Sequence, residues 1–254
     1  MKLFLNIIFL TIFSINSFAA ESELINDEVF EIYTESNFAP FNYQDEKGNH
    51  HGISIEIINE ILKDAKFKHT KIKLMPWARA YDITKKRRNT LLFSIFRTPF
   101  REDLFDWIGP VGTSNLVLLK KRSTTINPKR FKVSALRDSA SMQTAIKSGV
   151  PDDNIIKLNT SDLGLNLLLL GRVDAWAISD RTARETIKEK GLDIKNFETY
   201  KILAQRDIYF ALNKQTNPKI KKFFKERMQE LQASGFIDNL LTKYNCPKEV
   251  QDSW

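Results

Sequence analysis

Seven consecutive residues, TLLFSIF at 90–96, contain no charge and no polar alternation. An apolar run of that length bounded by polar residues reads as a strand covered on both faces, and such strands belong to parallel sheets flanked by helices. The flanking sequence agrees. VFEIYT (29–34) alternates like a strand. After Gly52, Ile57, Ile58, Ile61, Leu62 and Ala65 fall on one side of a helical projection, with Glu56, Asn59, Glu60, Lys63 and Asp64 on the other. TKIKLM (70–75) is strand-like, and PWARAYDITKK opens on Pro76 as a helix. A second series follows. NLVLLKK (115–121) is a strand leaving the first unit, FKVSAL (131–136) is a strand, and SASMQTAIKSG is a helix ending at Gly149. TSDLGLNLLLLG (160–171) is a helix with cap residues at its start, VDAWAIS (173–179) a buried strand, and RTARETIKEK a helix. Asn217-Pro218 starts a helix carrying Ile220, Phe223, Phe224, Met228 and Leu231, and FIDNLLTKY is one more. Strand and helix alternate twice, which predicts two α/β lobes facing each other with a ligand cleft at the carboxyl ends of the strands.

The first residues stand outside that pattern. Met1-Lys2, the apolar run LFLNIIFLTIF and the small residues of SINSFAA make a secretory signal peptide with cleavage after Ala19. The mature protein is therefore expected to be soluble, exported and periplasmic. With one cysteine, Cys246, the chain forms no internal disulfide and must rely on core packing, which its 42% hydrophobic content allows. His50 and His51 lie in a polar turn without a cysteine cluster, so no metal or cofactor is expected. The net charge of +8 falls to +7 when Lys2 leaves, but its lysines and arginines are spread along the chain. The densest cluster, KKRR at 85–88, sits at a helix end that favours cations, so nucleic-acid binding is not expected.

SIFRTPFRED (94–103) carries a charge puzzle. Thr98-Pro99 reads as a helix start, which puts Arg101 in the first turn and Arg97 just before the cap, both at a positive helix end. Something negative is expected there, either a neighbouring side chain or a ligand.

The order of FAPFNYQDEKGNHHGISIEIINEI, MPWARA, TLLFSIFRTPFREDLFDWIGPV, LLLLGRVDAWAISD and ASGFIDNLLTKY resembles the bacterial extracellular solute-binding proteins of family 3 over roughly residues 28–245. The resemblance implies a two-lobed, type II periplasmic-binding-protein-like α/β fold with mixed sheets and a cleft between the lobes. After the signal peptide (1–19), residues 20–115 begin lobe 1, 116–207 form an inserted lobe 2, and 208–254 return to lobe 1. By position in the motifs, Arg101 corresponds to the clamp for a ligand carboxylate and Asp180 to the group that takes an α-amino group. Phe38 and Trp77 correspond to flanking aromatics. Ser94 and the backbone of Phe96 offer hydrogen bonds from one lobe, Ser139 and Ser141 from the other. Arg97 could contact the ligand or pair with Asp103 or Asp106. Phe38 and Trp77 could also be core, and Asp180 could cap the helix that follows it.

The sequence departs from the family pattern at RRNT (87–90), at Phe96 where a small hydroxyl residue is common, and at Asp138 where glycine is frequent. The implied activity is capture of a small polar solute, an amino acid or related carboxylate, by a monomer serving an ABC permease. A free-standing sensor for a membrane receptor is the alternative, and a dehydratase-like enzyme a weaker one. No catalytic set is visible, and Glu185 is the only further carboxylate that could be nominated near the cleft. Arg101→Ala is expected to abolish binding and leave the fold intact.

Overall fold

The computed structural model describes residues 29–45 and 47–246. The expected signal peptide and its cleavage site lie outside the described residues. Lobe 1 opens with β1 (Glu31–Thr34), the short hairpin of β2 (Tyr43–Gln44) and β3 (His50–His51), α1 (Ile53–Leu62), β4 (Lys73–Leu74), α2 (Trp77–Lys86) and β5 (Thr90–Phe96). The long β6 (Phe105–Lys121) leads to β7 (Val133–Leu136), α3 (Ala140–Lys147), β8 (Ile155–Leu158), α4 (Asp162–Leu169), β9 (Ala175–Ser179) and α5 (Asp180–Glu189). A second long strand, β10 (Phe197–Asn213), returns to α6 (Pro218–Ala233) and α7 (Phe236–Lys243). Among the described residues no helix is long and apolar enough to cross a membrane.

One sheet joins everything except the β2–β3 hairpin, in the order β4-β1-β5-β10-β6-β9-β7-β8. β1 runs parallel to β4 and β5, and β7 runs parallel to β8 and β9. The two parallel groups are joined by the antiparallel pair β6 and β10. β10 pairs with β5 only from Ile208 to Leu212, and β6 pairs with β9 only from Leu116 to Leu119. Each long strand therefore serves one half of the sheet with one end and the other half with the other.

All seven residues of β5 are buried, as a strand covered on both faces requires. Its outer cover is a core of Phe30, Phe41, Phe93, Phe210 and Phe224 with the isoleucines of α1. The second lobe packs Val117, Leu119, Leu165, Leu168 and Ile187 around Trp176, which is fully buried. Gly164 makes that possible, because a Cβ there would stand 2.1 Å from the Trp176 indole nitrogen. The close approach of α4 seats β9, whose last residue, Ser179, reaches the cleft.

Three strands depart from the sequence reading. The strand expected over 70–75 pairs only at Lys73–Leu74. The strand expected at 115–121 is the far end of one that begins at Phe105. No strand is legible over 197–213, where residues 198–207 are polar or partly exposed and β10 is held by its pairing with β6.

Candidate functional site

The carboxyl ends of β1, β5, β7 and β9 converge between the lobes. They enclose a narrow inner cavity of about 40 Å³, whose walls include Glu35, Phe38, Trp77, Ser94, Phe96 and Arg101 from lobe 1. Leu136, Ser139, Ala140, Ser141, Ser161 and Ser179 face them from lobe 2. Glu35, Trp77 and Ser161 also border a wider outer groove of about 740 Å³, which forms the mouth.

Arg101 is the centre of the inner cavity and is fully buried. It does not lie in an α-helix. Its N–H donates to the Thr98 carbonyl in a turn at 2.9 Å, and a single 3-10 turn, Glu102–Leu104, follows. The expected helix start at Thr98-Pro99 is thus replaced by a tighter turn that aims the side chain inward. The guanidinium lies 5.3 Å from the Trp77 ring and 5.0 Å from the Tyr81 ring. Nη1 donates to the Phe96 carbonyl at 3.1 Å, and Nη2 donates across the cleft to the Asp138 carbonyl at 2.8 Å. Nε has no hydrogen-bond partner. Burial lowers its pKa to about 10, with Tyr81, Asp138 and Glu35 opposing that shift, so it is a cation at any physiological pH. Because Nη2 ties it to the Asp138 carbonyl on the opposite lobe, Arg101 also joins the two lobes.

Glu35 was not singled out from the sequence. It is the first residue beyond β1, partly buried, and it lines both the inner cavity and the mouth. Burial pushes its pKa up to about 8, against the pull of Arg101. The rule that ligands sit beyond the carboxyl ends of parallel strands could have found it.

The aromatic candidates line the inner cavity. Phe38 stacks on Phe41 at 5.4 Å and meets Phe96 edge-on at 5.5 Å. Trp77 stacks on Tyr81 at 5.7 Å and donates from its indole N–H to the Asp138 carbonyl at 3.1 Å. Asp138 holds that carbonyl in place with a left-handed backbone (φ 57°), the conformation that explains why glycine is frequent at such a turn. Ser139 caps α3 by accepting from the Met142 N–H at 3.0 Å, so the first turn of α3, including buried Ser141, faces the cavity.

Ser94 sits at a bulge, since Phe93 and Ser94 together oppose Phe210 across the ladder. Its φ is 60°, and its buried hydroxyl has no hydrogen-bond partner. A β-bulge residue forced left-handed beside a cavity is strained by roughly 1 kcal/mol. Ser94→Gly should therefore be neutral or more stable by up to about 1 kcal/mol, rather than losing the 0.5–1 kcal/mol usual for glycine inside a strand. Urea denaturation of the two proteins measures this, and a clear loss would show that the backbone is unstrained.

Two candidates lie elsewhere. Arg97 points away from the cleft. It forms an ion pair with Glu102, not with Asp103 or Asp106, and lies over the rings of Trp107 and Tyr209 in a separate groove. Consecutive positions on an extended chain face opposite ways, so Phe96 and Arg97 cannot both line one cavity. Asp180 is also not on the wall. Its Oδ1 accepts from Ser114 Oγ at 2.5 Å, the Asn115 N–H at 3.2 Å and the Arg181 N–H at 2.7 Å, pinning α5 to the crossing strand β6. The cavity is lined instead by Ser179, which caps α5 and bonds Ser114 Oγ at 2.7 Å. Asp180 is the first residue of α5, and the change from strand to helix after Ser179 leaves its carboxylate facing β6 rather than the cavity.

The family model for bacterial extracellular solute-binding proteins, family 3, matches residues 30–246. The chain belongs to that family. No curated protein matches it in sequence. Among solved structures it is similar to the arginine-, lysine-, histidine-binding protein ArtJ from Geobacillus stearothermophilus, at 20% identity and TM-score 0.72, over 87% of this chain and 97% of that one. A substrate-binding protein of an ABC uptake transporter from Streptococcus pneumoniae, solved with bound histidine, gives TM-score 0.74 at 15% identity, over 87% and 93%. A histidine kinase sensor domain similar to periplasmic binding proteins gives TM-score 0.74 at 17% identity, over 85% and 96%. At these identities the likenesses establish the two-lobed fold of this family 3 protein. Its ligand has to be argued from its own residues.

Proposed function

We propose that this family 3 protein captures a small polar solute bearing a carboxylate, an amino acid or close relative, between its lobes in the periplasm and presents it to an ABC-type permease. The observation that carries the reading is Arg101, a fully buried cation on the cavity wall with one unpartnered N–H, across from the first turn of α3. A guanidinium fork and the free N–H groups of a helix start are both matched to a carboxylate, and Phe38, Trp77 and Phe96 keep water from competing. Glu35, on the same wall and open to the mouth, takes the place given to Asp180 from the sequence as the partner of an ammonium. In this reading residues 116–207 form the second lobe, inserted between 20–115 and 208–254. The partners of β6 and β10, which change near Leu116 and Ile208, support that division.

A thermal-shift screen of the protein from residue 20 onward, against amino acids, polyamines and small carboxylates, tests the reading. A cognate solute at a hundredfold excess over its Kd stabilises by about 2.7 kcal/mol, which for a domain of this size raises Tm by about 5–11 °C. A shift by an uncharged sugar and by no carboxylate would sink it. The shared fold of a kinase sensor domain keeps a second reading open, in which the loaded protein signals to a membrane receptor. Import of the labelled solute in a deletion strain separates the two, since loss of import supports uptake, and normal import with a lost transcriptional response supports sensing.

A further inference from the structure

Helix α4 carries more apolar surface than its own lobe covers. With its C-cap it reads DLGLNLLLL (162–170), six leucines in nine residues, whereas a surface helix ordinarily needs one apolar stripe. The inward stripe is Gly164, Leu165 and Leu168, all buried, with both leucines in the core around Trp176. Leu163, Leu169 and Leu170 lie outside it and keep 43%, 39% and 72% of their surface exposed. At 3.6 residues per turn these three share one face with Asp162 and Asn166, at the spacing i, i+1, i+4, i+7, i+8 that marks a helix–helix contact.

The ends of that face carry opposite charge. Asp162 stands in the first turn, at the edge of the outer groove. At the far end Lys121 Nζ donates to the Leu169 carbonyl at 3.2 Å, and exposed Arg172 follows the C-cap by two residues. Among the described residues neither Asp162 nor Arg172 has an ion pair. A two-fold axis beside Asn166 places a second copy of the helix in the reverse direction. Leu163 then meets Leu169 and Leu170 of the second copy, Asn166 meets its own counterpart, and each acidic end meets a cationic end. A two-fold interface requires this reciprocity, and opposed helix dipoles add to it. An anionic membrane surface calls for cations alone, so the acid at one end of the stripe favours a helix of the same sequence.

We propose that two copies of this chain associate through α4, antiparallel about a two-fold axis, as a weak dimer. Two helices of this length bury less than about 1,200 Å² in total, an area that belongs to transient association. The monomer implied by the family resemblance is then the dilute form.

Sedimentation velocity of the chain from residue 20, which retains every described residue, tests the proposal across a concentration series. Half-association is expected on the order of 100 µM, and Leu163→Gln combined with Leu170→Gln should weaken it about tenfold. Leu104→Gln, an exposed leucine of lobe 1, is a control that should associate like the parent. The charges give the sharper test. Asp162→Lys alone, or Arg172→Glu alone, sets like charges against each other at both ends and should also weaken association about tenfold. Mixing these two single variants, or combining both substitutions in one chain, restores opposite charges at both ends and should recover association to within about threefold of the parent. The mixture needs only the two single variants, whose unchanged melting confirms that they are folded. A parent that stays monomeric at about 500 µM, a mixture that stays as weak as its components, or an equal loss in Leu104→Gln overturns the proposal.

Discussion

Arg101→Ala is expected to remove measurable binding of the cognate solute and to lower Tm by about 4–8 °C. The binding loss follows from taking away one partner of a desolvated, hydrogen-bonded ion pair, which costs roughly 2–5 kcal/mol and erases micromolar affinity. The stability loss has a separate origin. Without the guanidinium, the carbonyls of Phe96 and Asp138 lose a donor, and the rings of Trp77 and Tyr81 lose a cation. Relief from burying a charge offsets part of this, leaving a net cost of about 2 kcal/mol. For a chain of this size, each kcal/mol lowers Tm by about 2–4 °C. Arg101→Lys separates the two effects, because it keeps the charge and loses the fork, so it should recover part of the stability and little of the affinity. Calorimetric titration and thermal melts of the three proteins decide the matter. An Arg101→Ala protein that binds as tightly as the parent would show that the carboxylate sits elsewhere.

The solute-free protein is expected to become less stable as pH rises from about 4.5 to about 8, and Glu35→Gln is expected to flatten that slope. The carboxyl moves from 4.5 in the unfolded chain to about 8 in the folded one because burial disfavours its charged form. The folded state then holds a proton that the unfolded state has released. Its contribution is complete below about 4.5 and is lost as pH climbs through about 8, an effect on the order of a few kcal/mol. Binding should follow the opposite trend. An ammonium placed against Glu35 requires the carboxylate, so capture of a cationic solute expels a proton and tightens as pH approaches 8. Chemical denaturation and titration calorimetry at pH 5, 6.5 and 8, in buffers of different ionisation enthalpy, measure both slopes. Stability that does not change with pH, in a protein whose Glu35→Gln variant behaves identically, would place the carboxyl in water.

Much of the site was legible before the fold, because Arg101, Phe38, Trp77, Ser94, Phe96, Ser139 and Ser141 lie on short motifs at strand ends, and all seven border the cavity. The two that fell elsewhere did so for different local reasons. Arg97 follows Phe96 on extended backbone, where a neighbour points the other way, whereas Asp180 begins α5 and its carboxylate turns to Ser114 and Asn115 on β6. Tyr81, which stacks under Trp77 and beside Arg101, follows Trp77 by one helical turn, so its position was available from helix periodicity alone.

The sequence by itself determined the local elements whose burial repeats regularly, namely the seven-residue run of β5, the isoleucine face of α1, and the helix starts at Pro76 and Asn217-Pro218. Those depend on side chains only a few residues apart. Tertiary structure alone decided the rest. β10 exists because β6 supplies its hydrogen-bond partners along its length, which no pattern within 197–213 announces. Glu35 has its carboxyl pushed up to about 8 because burial disfavours the charged form, against the pull of Arg101. The carbonyl that Arg101 and Trp77 share belongs to Asp138, on the opposite lobe. Pairing, desolvation and contact across a cleft are properties of residues brought together from distant positions, and each depends on where the chain returns rather than on what it spells locally.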